Sequence, residues 1–232
     1  MSSAQKRTYL ICQMDPDSIV YNMPMNLKLT GEVRPEAVKE ALQKMVERHE
    51  ILRTQFLMVD GEPVQKILEH GEAEFTFRKD TGTPEEQLAA EFIRPFDLST
   101  PPLVRAQLVE REDGYLLGLD MHHIVGDGMS MNTFMREFSA LYNGEKLEKQ
   151  PRQFKDYSEW MAGRDLSSQE KYWKEQFEEE APVLDMPLDF ARPQEQSFAG
   201  SIVLGSTGRE LGEKIDELVG RTGTTTYLVM LS

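Results

Sequence analysis

Adjacent histidines, a carboxylate and a glycine fall within seven residues, His122-His123-Ile124-Val125-Gly126-Asp127-Gly128. A neutral imidazole accepts a proton at one nitrogen while donating from the other, so it can orient, deprotonate or stabilise a reacting group. Neighbouring residues on an extended segment point to opposite sides, so His122 and His123 cannot both face one substrate. One is therefore expected to be structural and the other functional. Asp127 is placed to hold the loop by accepting backbone N–H bonds or by pairing with an arginine. Gly128 permits a positive φ or the close approach of a ligand. A metal centre would need further ligands at coordinating spacing, and His49 and His70 are the only other histidines, so no metal is expected.

The flanking segments read as the parts that would hold such a loop. Tyr115–Met121 is an apolar, strand-like run, and 103–110 with 115–121 predicts a hairpin around Glu112-Asp113-Gly114. Met131–Tyr142 has helical spacing, with Phe134, Met135, Phe138, Leu141 and Tyr142 on one stripe. A strand-to-helix junction holds a side chain rigidly while leaving it open to a substrate. Upstream, Met25–Thr30 alternates like a half-buried strand. Arg34–Arg48 predicts a helix with Pro35 in its first turn and a core stripe of Val38, Ala41, Leu42, Met45 and Val46. Strands over 51–59 and 64–68 are joined through Asp60-Gly61-Glu62-Pro63, and a short strand covers Phe75-Thr76-Phe77.

Further helices are expected at 84–94, 154–163, 167–177 and 209–221, with Trp160, Tyr172 and Trp173 as apolar anchors, and a strand at 202–204. Arg221-Thr222-Gly223-Thr224 reads as a helix stop, since no phosphate-binding glycine loop occurs. Strands interleaved with helices, some of them in hairpins, predict an α/β sandwich with a mixed sheet. Residues 1–180 read as one unit and 181–232 as a crossover linker with the beginning of another.

The histidine run resembles the HHxxxDG signature shared by condensation domains of nonribosomal peptide synthetases and the chloramphenicol acetyltransferase group. Three other segments point to the former. Ser3-Ala4-Gln5-Lys6-Arg7 is similar to the family's SxAQxR motif, and Arg48–Phe56 to its RHExLRTxF motif. Phe154-Lys155-Asp156-Tyr157-Ser158-Glu159-Trp160 is similar to YxDFAxW, with Phe for Tyr and Ser for Ala. Their order and spacing follow the family. The stretch Tyr21-Asn22-Met23-Pro24 resembles the subtype that accepts an L-configured donor.

The resemblance implies a chloramphenicol-acetyltransferase-like two-layer α/β sandwich. It also implies amide bond formation between an upstream acyl or peptidyl thioester and the α-amino group of a downstream aminoacyl thioester. Both would be carried on 4′-phosphopantetheine arms of peptidyl carrier proteins, with an adenylation domain adjacent. His123 then faces the reaction centre as the catalytic residue, while His122, Asp127, Gly128 and Arg53 are structural, Arg53 being the candidate partner of Asp127. The N-terminal N–H groups of the helix begun by Gly128 become candidates for binding an oxyanion. The domain itself is expected to bind no cofactor. Complete condensation domains run to nearly twice this length, and the later family motifs do not occur here. The chain therefore reads as an amino-terminal portion with the second lobe truncated, inactive by itself. Alternatives on the same fold are a noncatalytic carrier- or partner-recruiting module and a coenzyme-A-dependent acetyltransferase.

Net charge is −14, from 40 acidic and 26 basic residues, which disfavours nucleic acid and anionic membranes. No apolar run approaches the about 18 residues of a membrane span, and the start lacks a signal peptide's apolar core, so a cytoplasmic protein is expected. The single cysteine, Cys12, excludes a disulfide framework and reads as packing. His70, in Glu69-His70-Gly71, reads as a solvated turn.

Overall fold

A computed structural model describes residues 1–179, 181, 183–194, 197–198, 200–201, 203 and 205–232. It divides into two compact units, Met1–Val183 and Leu184–Ser232. The first contains helices α1 (Ser3–Met14), α2 (Pro35–Arg48), α3 (Glu85–Phe92), α4 (Gly128–Tyr142), α5 (Phe154–Ala162) and α6 (Ser167–Gln176). Its strands are β1 (Asn22–Leu29), β2 (Thr54–Val59), β3 (Glu62–Ile67), β4 (Glu74–Lys79), β5 (Val104–Arg111) and β6 (Gly114–His122). The second unit contains α7 (Gly208–Thr222) and α8 (Thr226–Leu231).

A four-stranded sheet has the order β1-β6-β5-β4, with β4 parallel to β5 and the other pairs antiparallel. This is the mixed sheet flanked by helices that the alternating patterns predict. Pro24 lies in β1, a position open to proline because β1 is an edge strand. Leu117, Leu119 and Met121 of β6 pair with Leu108, Ala106 and Val104 of β5, and all six join the main core with the α2 stripe and Phe134 and Phe138 of α4. The opposite face carries Leu116 and Val109, packed with Leu88 of α3. Burial on both faces explains why β6 reads as a continuous apolar run.

Both hairpins form, with tighter turns than the sequence reading drew. Asp60 and Gly61 have φ of 53° and 80°, the mirror-image turn that suits two twisted strands. Glu62 and Pro63 therefore belong to β3. In the other hairpin Glu112 and Asp113 make the turn, and a Cβ on Gly114 would lie 2.4 Å from the Leu29 carbonyl oxygen. Glu50–Arg53 forms a 3₁₀ turn instead of the start of a strand.

Two expectations need correction or restriction. Trp160, Tyr172 and Trp173 are 56%, 53% and 59% exposed, so they are not buried anchors, and α6 buries no residue. Helical spacing defines a face but not whether another element covers it. The strand expected at 202–204 lies largely outside the described residues, and Val203 is not in a strand. Gly223 does end α7, with φ of 65° in the left-handed region.

Candidate functional site

β6 ends at His122, and the chain turns through 123–127 into α4, so the histidine loop is the sheet-to-helix junction expected. The two imidazoles separate by side. His122 is buried, and the N–H of Ile124 donates to its Nδ1 at 3.1 Å. The proton must then sit on Nε2, which lies 3.7 Å from Cys12 Sγ. This is the wrong tautomer to activate the thiol, and burial pushes the Cys12 pKa up. Cys12 packs against the core. Tyr21 and Phe96 flank the His122 ring, the latter edge-on at 5.9 Å between centroids.

Burial, with a smaller contribution from His123, pulls the His122 pKa from 6.5 to about 4. The folded value lies below the unfolded one, so stability is fully present above about pH 6.5 and is lost as pH falls toward 4. The loss amounts to about 3 kcal/mol once pH is below both values. Urea unfolding at pH 7 and pH 5 is expected to show most of it, and His122→Asn to remove that component of the pH dependence. An equal pH dependence in the variant would rule the assignment out.

His123 is exposed and borders a cavity of about 510 Å³, whose walls include Ser3 and Gln5 of α1, Tyr21, and Phe154 and Tyr157 of α5. The His123 backbone N–H donates to the Tyr21 carbonyl at 2.8 Å, which fixes the main chain and leaves the ring open to the cavity. The loop itself is tightly packed. A Cβ on Gly126 would lie 2.8 Å from Met121 Sδ and 3.3 Å from Ser130 Cβ.

Asp127 is the N-cap of α4. Its Oδ1 accepts from the Ser130 N–H at 2.8 Å and hydroxyl at 2.7 Å, and these bonds hold its carboxyl below the usual range. Arg53 is not its partner. That guanidinium donates to the Leu68, Val46 and Glu47 carbonyls, tying the end of α2 to the residue that follows β3. Its remaining nitrogen, Nη2, lies 4.0 Å from Glu50 Oε1, and the aspartate's charge is turned toward its own helix. Gly128 opens α4, as the oxyanion reading requires, but it has no positive φ, and a Cβ there would meet nothing within 4 Å. Its freedom therefore leaves room for a ligand and serves no special backbone conformation. The cap already satisfies one of the N–H groups considered for an oxyanion.

The family profile described as the condensation domain matches residues 1–232. The chain belongs to the condensation domain family. It is 39% identical over 237 residues to gramicidin S synthase 2 of Brevibacillus brevis, covering 100% of this chain and 5% of the relative. It is 40% identical over 237 residues to tyrocidine synthase 3 of Brevibacillus parabrevis, covering 100% of this chain and 4% of the relative. The crystal structure of the X-domain from teicoplanin biosynthesis superposes with a TM-score of 0.77 at 25% identity, over 97% of this chain and 53% of that one. The chain thus spans under a tenth of these curated relatives and about half of that solved structure.

Several residues around this condensation-domain loop escaped the sequence reading. Gln5, buried in α1, donates from Nε2 to the Ile124 carbonyl at 3.1 Å and accepts from the Ser2 N–H through Oε1 at 3.1 Å. It couples the helix cap to the histidine loop across 119 residues. Gln5→Leu would strand a buried carbonyl and remove half of a capping box, at a cost of about 1–3 kcal/mol. A thermal melt checks this, and an unchanged midpoint would contradict it. A second set lies behind His122. Asp120 and Arg105 pair on facing strands, and Asn22 Nδ2 donates to Asp120 Oδ2 at 2.7 Å. The signal was visible as a carboxylate in the apolar run Leu116–Met121 and an arginine in Leu103–Val109.

Among the described residues there is no cluster of three or more His, Cys, Asp or Glu able to hold a metal ion. Among them, too, no helix is long and apolar enough to cross a membrane.

Proposed function

We propose that this chain provides the histidine-bearing lobe, residues 1–180, of a peptide-bond-forming condensation domain in nonribosomal peptide synthesis, with 181–232 entering the next lobe. The observation that carries the reading is the division of labour between the histidines. His122 is buried in one fixed tautomer, while His123 stands open in a cavity at the end of the sheet.

The α-amino nitrogen of a downstream aminoacyl thioester attacks the carbonyl carbon of an upstream acyl or peptidyl thioester. The C–S bond breaks, an amide forms, and the amine's proton leaves with the released thiol. An α-amino group has a pKa near 8, so roughly a tenth of it is already neutral at pH 7. The thioester is an activated acyl donor, so holding the two ends together supplies much of the acceleration. His123 orients the amine and stabilises the charged tetrahedral intermediate. Asp127, Gly126 and Gln5 keep the loop in place, and Arg53 anchors the neighbouring end of α2.

The partners are then upstream and downstream peptidyl carrier proteins, whose 4′-phosphopantetheine arms bring the substrates, together with an adenylation domain of the same synthetase. The domain holds no cofactor of its own and works in the cytoplasm. The test offers the condensation domain two loaded carrier proteins, and in parallel acetyl-CoA with a small alcohol. Dipeptide on the downstream carrier, detected by mass spectrometry, is expected. Acetyl transfer without dipeptide would favour the acetyltransferase reading, and neither product would favour a recruiting module.

A further inference from the structure

A second cavity, of about 410 Å³, lies beside the one that His123 enters. The two share Ile51, Val125, Asp127, Ser130 and Phe154 as walls. The second runs between α2 and α4, and its floor is made of Met45, Leu52, Met121 and Phe134, all buried core residues. Met129, 75% exposed, stands at its mouth, and half-buried Thr133 lines its α4 side.

One end is closed by His49. That ring is held in place, with Nε2 2.7 Å from Glu137 Oε2, while Arg48 Nε donates to the same oxygen at 2.8 Å. Glu137 is itself buried, and Gln150 donates to its other oxygen. These bonds keep the His49 ring from swinging in to fill the space. The cavity's size and apolar floor fit a small-molecule site, and it shares walls with the cavity that His123 borders.

We propose that this cavity receives an apolar side chain of the substrate seated at His123, and so sets which aliphatic or aromatic residues are joined. The inference rests on the condensation reading above. The shared walls are what select this occupant. A group bonded to the carbon next to the reacting carbonyl or amine passes the shared walls Ile51, Val125, Asp127, Ser130 and Phe154 to reach a cavity floored by apolar core side chains. Thr133 and Met129 determine how much of it fits.

Two measurements test this. In the 232-residue chain, the ε-methyl resonances of Met45, Met121 and Met129 are followed while leucyl- or glycyl-pantetheine amide is added. The leucyl compound is expected to shift them, the glycyl compound to leave them in place, and Thr133→Trp to abolish the response. In the condensation domain, glycyl and leucyl groups are then paired on the two carriers in all four combinations. Thr133→Trp is expected to lower product formation about tenfold or more wherever leucine occupies the affected position, with the glycyl–glycyl pair unchanged. The arm that falls, donor or acceptor, identifies whose side chain is held.

If Thr133→Trp does not fold, Met129→Trp at the exposed mouth replaces it. Methyls that stay fixed or respond equally to both compounds, or a variant that treats all four pairs alike, would overturn the proposal. A wild type that yields no peptide from any of the four pairs would instead bring down the condensation reading.

Discussion

Asp120→Ala is expected to destabilise the protein by about 3–5 kcal/mol, the usual effect of leaving a buried charge without its partner. Arg105 is 2% exposed and Asp120 0%. Asp120 Oδ2 accepts from Arg105 Nη2 at 2.6 Å and Nε at 3.2 Å. The guanidinium also bonds the Arg94 carbonyl and lies 3.8 Å over the ring of Phe96. Burial already pulls the Arg105 pKa below its ordinary value, with Asp120 working against that shift. Removing the carboxylate removes the opposing influence and keeps the burial. Urea unfolding measures the loss. Replacing both partners together, Arg105→Met with Asp120→Leu, is expected to cost far less, because no isolated charge remains. A single variant within 1 kcal/mol of the wild type would refute the account. Phe96 connects the pair to the histidine loop, since it packs on Arg105 with its face and meets His122 at 5.9 Å. On the proposed function, Asp120→Ala in the complete condensation domain should therefore also slow peptide formation.

On the proposed function, His123→Ala in the complete condensation domain is expected to lower the rate of peptide formation about a hundredfold or more, within the range for losing a positioned acid–base group. Its stability should stay within about 0.5 kcal/mol of the wild type, because the ring is exposed and the backbone bond to Tyr21 survives. His123→Asn separates two roles. An amide still donates and accepts hydrogen bonds but takes no proton, so if orientation dominates, Asn retains more activity than Ala. Single-turnover kinetics with both carriers loaded measure the order wild type, Asn, Ala. Unchanged product formation by His123→Ala would favour a recruiting role. His122→Ala differs in kind. It is expected to reduce stability and activity together, because that ring is packed between Tyr21, Phe96 and Cys12.

The hairpins, the helix stripes and the separation of the two histidines were legible because each depends on neighbours in the chain. Alternating or threefold spacing says which side chains share a face, and Asp60-Gly61 specifies a turn whose strands can lie only one way. The Arg105–Asp120 pair was within reach by the same route, since the turn at Glu112-Asp113 places those residues opposite each other. The arginine expected to meet Asp127 was not. Asp127 caps α4 and Arg53 ties three carbonyls, and nothing in their own segments distinguishes those partners from each other.

By itself, the sequence determined the family, the α/β alternation and that the two adjacent imidazoles face opposite sides, since motif order, periodicity and the opposed directions of adjacent residues are properties of the chain. Only the tertiary structure decided that Gln5 reaches Ile124, that Glu137 fixes His49, and that Thr133 and Met129 border a second cavity beside the first. Those contacts join residues tens of positions apart or more. They exist only once the sheet has brought α1, α2 and α4 together, where side-chain volume and hydrogen-bond geometry select the partners.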